Sequence, residues 1–92
     1  MDSFRIELAP TASRDLDEFE IGVVEKALSD LKVQEKNPFP RGKLIKKFKG
    51  KKFSLYRLRV DKFPIFYEIQ PKKIIVLRVL SKKDSDRFIK RF

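Results

Sequence analysis

The chain is 92 residues long, carries 23 Lys plus Arg against 13 Asp plus Glu for a formal net charge of +10, and contains no Cys, His or Trp. A single domain, spanning 1–92, is expected at this length, near the lower end of what one core supports. The missing residue types exclude a disulfide framework, a zinc–thiolate centre, a thiol nucleophile and any acid–base mechanism built on imidazole. Chemistry here must draw on Lys, Arg, Tyr, carboxylates, hydroxyls or backbone, and no metal or small-molecule cofactor is expected. The longest apolar run, Ile74-Ile75-Val76-Leu77, is far too short to cross a bilayer. The opening residues lack the apolar stretch of a signal peptide. A cytoplasmic location with no membrane partner is the expectation.

Phe4-Arg5-Ile6-Glu7-Leu8 alternates apolar and charged, the pattern of a half-buried strand that Pro10 ends. Thr11 or Ser13 is placed to cap a helix, with Asp15, Asp17 and Glu18 near its positive end and Leu16 and Phe19 buried. A second helix is predicted over residues 21–34, with Val24, Ala27, Leu28 and Leu31 as its apolar stripe. Asn37-Pro38-Phe39-Pro40-Arg41-Gly42 reads as a loop. Six of the ten residues from Lys43 to Lys52 are Lys. That segment reads as extended or loosely ordered, anchored by Leu44, Ile45 and Phe48.

Three strands follow. In Phe53 to Val60, Tyr56, Leu58 and Val60 share one face, and Arg57 and Arg59 the other. After a tight turn at Asp61-Lys62, Ile65, Tyr67 and Ile69 face one way and Pro64, Phe66 and Glu68 the other. Ile74 to Leu80 is the most apolar strand and is placed centrally. Asp84 or Ser85 is positioned to cap a short last helix holding Phe88, Ile89 and Phe92. The expected fold is an α+β sandwich of order β-α-α-β-β-β-(α). Its two N-terminal helices pack on one face of a mostly antiparallel four-stranded sheet. The other face is left to present Arg57, Arg59 and Phe66.

The charge is polarised along the chain. Residues 1–40 hold five basic and nine acidic side chains, a balance of −4, and residues 41–92 hold eighteen basic and four acidic, a balance of +14. A surface of that sign attracts polyanions, which points to a nucleic acid or an acidic protein as partner.

The element order, and several residues in it, resemble the RelE/ParE superfamily of toxins from toxin–antitoxin pairs, in particular its RelE branch. The likeness covers nearly the whole chain. It rests on the opening strand followed by Ala9-Pro10-Thr11-Ala12-Ser13-Arg14-Asp15-Leu16, on Asn37-Pro38, and on Phe48-Lys49-Gly50. Its most specific part is Tyr56-Arg57-Leu58-Arg59-Val60 with Phe66-Tyr67-Glu68-Ile69 on the next strand. The resemblance implies a toxin neutralised by a cognate antitoxin, whose acidic or amphipathic segment wraps the toxin surface. It further implies either a ribosome-dependent mRNA endonuclease that inhibits translation or, in the ParE branch, a gyrase inhibitor. A RelE fold with reduced catalysis that binds RNA or antitoxin is the third possibility.

Within the family pattern, Arg57 and Arg59 match the two basic positions of the first middle strand, and Lys83, or Lys82, matches the basic position after the last strand. Pro64 stands where an Arg is frequent and Phe88 nearest a usual Tyr. The resemblance thus makes Arg57, Arg59 and Lys83 the catalytic candidates for a metal-independent endoribonuclease acting on ribosome-bound message. Cleavage by a 2′-hydroxyl needs that hydroxyl deprotonated, the phosphorane stabilised and the 5′-oxygen protonated. Arg57 and Arg59 are suited to clamping the phosphate, and Lys83 to proton transfer. Lys43, Lys46, Lys47, Lys49, Lys51, Lys52 and Lys82 are the candidate RNA-binding residues. Tyr56 and Tyr67 are expected in the core.

Overall fold

A computed structural model describes residues 3–59 and 63–92. In chain order the elements are β1 (Arg5–Leu8), α1 (Pro10–Asp17), α2 (Ile21–Val33), β2 (Ile45–Lys49), β3 (Ser54–Leu58), β4 (Ile65–Gln70), β5 (Lys73–Val79) and α3 (Lys82–Arg91). They form an α+β fold whose sheet runs β1-β5-β4-β3-β2. β1 pairs parallel with β5, and the remaining neighbours are antiparallel. The apolar strand β5 is interior, as its composition predicts. Val60 and the expected turn at Asp61-Lys62 lie outside the described residues.

The sheet has five strands rather than four, because the lysine-rich segment contributes β2. Its anchors Ile45 and Phe48 are three residues apart, so they point to opposite faces and no period-two alternation is visible. Each seats in a different core. Ile45 joins a large cluster in which Ala12, Leu16, Ala27 and Leu31 of the two helices meet Leu58, Ile65, Tyr67, Ile74 and Val76 of the sheet. Phe48 packs on a smaller cluster of Leu55, Phe66 and Leu80, against Leu77, Phe88 and Ile89. α3 therefore covers part of the face expected to be open, and Phe66 is fully buried there.

Helix boundaries differ from expectation for local reasons. α1 begins at Pro10 with Ala9 in the capping position and no side-chain cap, since a proline at the first turn has no N–H to satisfy. Asp15 and Asp17 consequently lie at its C-terminal end. α3 begins at Lys82, where Ser81, not Asp84 or Ser85, caps by accepting from the Asp84 N–H at 3.2 Å. Ser85 is buried instead. On α2, Ala27 and Leu31 are buried but Leu28 is exposed.

β1 is too short to cover the edge of β5, and α1 takes over where it stops. The Thr11 hydroxyl donates to the Leu77 carbonyl at 2.7 Å. The Asp15 carboxylate accepts from the Val79 N–H at 3.0 Å and from Arg78 Nε and Nη2 at 2.7 and 3.0 Å. The β4–β5 register shifts between Phe66 and Tyr67, which oppose Arg78 and Val76. Leu77 is the extra residue of this bulge. It turns Arg78 toward the α3 side while Val79 returns to the large core. The hydrogen bond to Asp15 raises the Arg78 pKa above its usual value against a smaller opposing effect of burial.

Two further contacts hold the loops. The buried Tyr67 hydroxyl donates to the Pro38 carbonyl at 2.7 Å, pinning the loop after α2. At the β2–β3 hairpin, a Cβ on Gly50 would lie 2.5 Å from the Phe53 carbonyl oxygen and 2.6 Å from Phe92 Cζ. Phe92 also packs edge-on against Phe53, with centroids 5.5 Å apart. The end of α3 is thereby seated on the hairpin.

Three outcomes follow from these contacts. Gly50→Ala should destabilise the fold by about 1–3 kcal/mol through overpacking against a backbone oxygen, read as a lower denaturant midpoint at unchanged m-value. Asp15→Ala should cost about 2–3 kcal/mol, because it removes charge-assisted bonds from a partly buried guanidinium and orphans the Val79 N–H; an unchanged melting curve would contradict this. Burial raises the Tyr67 phenol well above its usual 10.0. The folded state then holds this proton after the unfolded state has lost it. The associated stability is complete below pH 10 and is lost as pH rises further. Tyr67→Phe should flatten that alkaline loss in thermal melts recorded across the range.

Candidate nucleic-acid interface

Register places four residues in one lateral row on the α3 side of the sheet. Lys46 opposes Arg57, Arg57 opposes Phe66, and Phe66 opposes Arg78. Like charges directly opposite across a ladder repel, yet Lys46 and Arg57 sit together. The Phe48 ring lies between their demands: Lys46 Nζ is 5.3 Å and Arg57 Cζ 5.2 Å from its centroid. Attraction of each cation to the ring face offsets part of the repulsion. The pair is thus held ready for an anion, with Arg57 half-buried and Lys46 exposed. Among the described residues, neither has a carboxylate within ion-pair distance.

The other predicted residues distribute around this row. Arg59 is exposed just past the end of β3, and its backbone N–H donates to the Leu44 carbonyl at 2.8 Å. Lys82 and Lys83 are exposed in the first turn of α3. Both are cations at the positive end of the helix dipole, an arrangement that favours an anion nearby. Lys43 lies in the turn before β2, and Lys51 and Lys52 in the β2–β3 connection, all exposed. Lys47 and Lys49 depart from the set. Strand alternation sends them to the face that carries Ile45 and Tyr56, away from Arg57.

Five residues acquire roles that composition does not reveal. Phe66 is covered by Phe88, with ring centroids 5.0 Å apart, so it is closed to base stacking. Phe88 is accordingly a packing residue, and Arg78 Cζ lies 5.8 Å from its centroid. Arg78 was not among the sequence candidates. It reaches this face only through the bulge at Leu77, which no local pattern marks. Pro64 has no N–H to offer, and its carbonyl accepts from the Leu80 N–H at 3.1 Å, tying the start of β4 to the end of β5. The Tyr67 phenol is occupied by Pro38 and kept protonated by burial, which removes it from acid–base service.

The arrangement can bind a phosphate between Lys46 and Arg57. Among the described residues no helix is long and apolar enough to cross a membrane.

No protein-family model and no curated protein matches the sequence. Solved structures do match its fold. The archaeal RelE–RelB complex from Pyrococcus horikoshii OT3 aligns with a TM-score of 0.72 at 21% identity, covering 87% of this chain and 96% of that one. The toxin–antitoxin complex RelBE2 from Mycobacterium tuberculosis aligns at 0.73 and 17% identity, covering 89% and 94%. The RelB–RelE antitoxin–toxin complex from Methanococcus jannaschii aligns at 0.66 and 28% identity, covering 88% and 95%. The likeness runs along nearly the whole length of each matched chain, so the fold is RelE-like.

Proposed function

We propose that this chain is the toxin of a type II toxin–antitoxin pair, acting in the cytoplasm as a ribosome-dependent mRNA endonuclease. In this reading residues 1–92 form one toxin domain whose partners are a cognate antitoxin, messenger RNA and the ribosome. Support comes from the likeness to RelE chains in complexes with RelB and above all from the Lys46–Arg57 pair across the ladder, which has no carboxylate within ion-pair distance among the described residues. In this mechanism Arg57 and Arg59 bind the scissile phosphate and stabilise the charge that develops on it. Lys83, at the start of α3, delivers a proton to the leaving 5′-oxygen. Lys43, Lys46, Lys51, Lys52 and Lys82 hold the flanking backbone, while the ribosome orients the 2′-hydroxyl for in-line attack; its proton passes to solvent water as the 2′-oxygen bonds to phosphorus, a 2′,3′-cyclic phosphate forms and the bond to the 5′-oxygen breaks.

A second reading has its own observation. Phe88 has no hydroxyl, and its ring is turned into the small core against Phe66. A RelE fold in that condition can keep RNA or antitoxin binding with catalysis reduced.

The deciding experiment incubates the purified chain with ribosomes and a defined message. Discrete cuts that weaken by about a hundredfold or more on Arg57→Ala, with folding intact by circular dichroism, are the expected result. Intact message together with arrested gyrase would overturn the endonuclease in favour of a ParE-like inhibitor. Intact message with retained RNA binding would favour the second reading.

A further inference from the structure

The lysines of β2 serve two faces. Lys46 belongs with Phe48 and Arg57, but Lys47 lies directly opposite Tyr56, and Lys49 opposite Ser54. Both are exposed, β2 is the last strand of the sheet, and among the described residues neither lysine has a carboxylate within ion-pair distance. Lysines on an edge strand do discourage strand-to-strand aggregation. That role leaves Tyr56 unexplained.

Tyr56 is only half-buried, unlike its neighbours Leu55 and Leu58, and it stacks on Tyr67 with centroids 5.7 Å apart and planes 18° from parallel. Tyr67 is itself immobile: it has no exposed surface, and its hydroxyl is bonded to Pro38. Tyr56 is therefore an aromatic ring with a fixed backing, partly open to solvent one strand in from the sheet edge, with Lys47 directly opposite and Lys49 diagonal to it, neither with a carboxylate in ion-pair distance among the described residues. Aromatic platforms flanked by cations are how proteins hold unpaired nucleic-acid strands, because every base has a π-face and every nucleotide a phosphate. Lys47 and Lys49 are about 7 Å apart along an extended strand, roughly the reach of one extended nucleotide.

We propose that this side of the β2 edge is a second RNA contact, in which Tyr56 stacks on an unpaired base and Lys47 and Lys49 take the phosphates beside it. The choice of RNA as the polymer rests on the function proposed above; the stacking geometry does not. A duplex does not satisfy the site, since its bases are already stacked and their faces are closed. A single strand seated here passes around the edge of β2 toward Lys46 and Arg57 on the opposite face. The lysine run then follows the strand around that edge.

The chain holds two tyrosines and no tryptophan, and Tyr67 is fully buried. A change in intrinsic tyrosine emission on adding a nucleic acid thus reports Tyr56. The full chain is titrated with a short single-stranded oligoadenylate and, separately, with inorganic polyphosphate, which has charge but no bases. Quenching by oligoadenylate and none by polyphosphate is expected. Tyr56→Leu should weaken oligoadenylate binding about tenfold and leave polyphosphate binding unchanged, whereas Tyr56→Phe should keep both. Lys47→Ser combined with Lys49→Ser should weaken both probes and reduce the salt dependence of binding. Because Tyr56 also packs on the core, the quench in the unmutated chain and the phenylalanine variant carry the test if the leucine variant fails to fold. Absence of quenching on saturation with oligoadenylate, or a folded Tyr56→Leu variant that binds it as well as the parent, overturns the proposal. Quenching without cleavage on the ribosome would remove the endonuclease and leave this site standing; cleavage without quenching would do the reverse.

Discussion

The carboxylate of Asp15 joins two parts of the molecule that are far apart in sequence, α1 and the end of β5. It binds the Arg78 guanidinium and the Val79 N–H, so it ends the edge of β5 where β1 no longer covers it. Without that contact β5 would expose unpaired backbone groups at the point where it feeds α3. Arg78 in turn lies over Phe88, which roofs Phe66. One partly buried ion pair thus ties the acidic N-terminal helices to the basic sheet and sets where α3 begins. Its worth lies less in Coulomb attraction, which solvent reduces at a partly exposed pair, than in satisfying a strand edge and fixing the bulge at Leu77.

The second core follows from that placement. α3 crosses the sheet from the end of β5 to the β2–β3 hairpin, where Phe92 rests on Gly50 and Phe53. The sheet is apolar on both faces, with helices α1 and α2 on one side and α3 on the other. A chain of this size has little core to spare, and using both faces raises the apolar area that each strand buries. The consequence for function is spatial. Basic side chains are pushed to the rim, along β2, past the end of β3 and at the start of α3, where they surround the apolar centre without being buried in it.

β2 shows why a charged edge strand is more than a solubility device. Lys47 and Lys49 on one face and Lys46 on the other discourage pairing of this edge with another strand. The strand also leaves cations with no carboxylate in ion-pair distance among the described residues, beside one aromatic ring on each face: Phe48 with Lys46 and Arg57, and Tyr56 with Lys47. Those rings differ. Phe48 braces cations against each other, whereas Tyr56 is braced by Tyr67 and keeps part of its own surface open.

Much of this was legible in the residues. Because period and hydrophobicity are local properties, alternation identified β3, β4 and β5 and the faces of Tyr56, Leu58, Ile65 and Tyr67, and the apolar run at Ile74 marked an interior strand, though β4 rather than β5 is the middle one. The excess of +14 over residues 41–92 was plain before any fold, since charge needs no fold to be counted. Other features had no local signal. β2 was hidden because Ile45 and Phe48 serve opposite cores. Phe66 looked open until α3 covered it, and Arg78 reached the basic row only through a bulge set by pairing with β4. The sequence by itself determined the element types, the strand faces and the sign of the surface. Only the tertiary structure decided which cations stand together, because a one-residue change of strand register moves a side chain to the other face of the sheet, and register is a property of two strands rather than one.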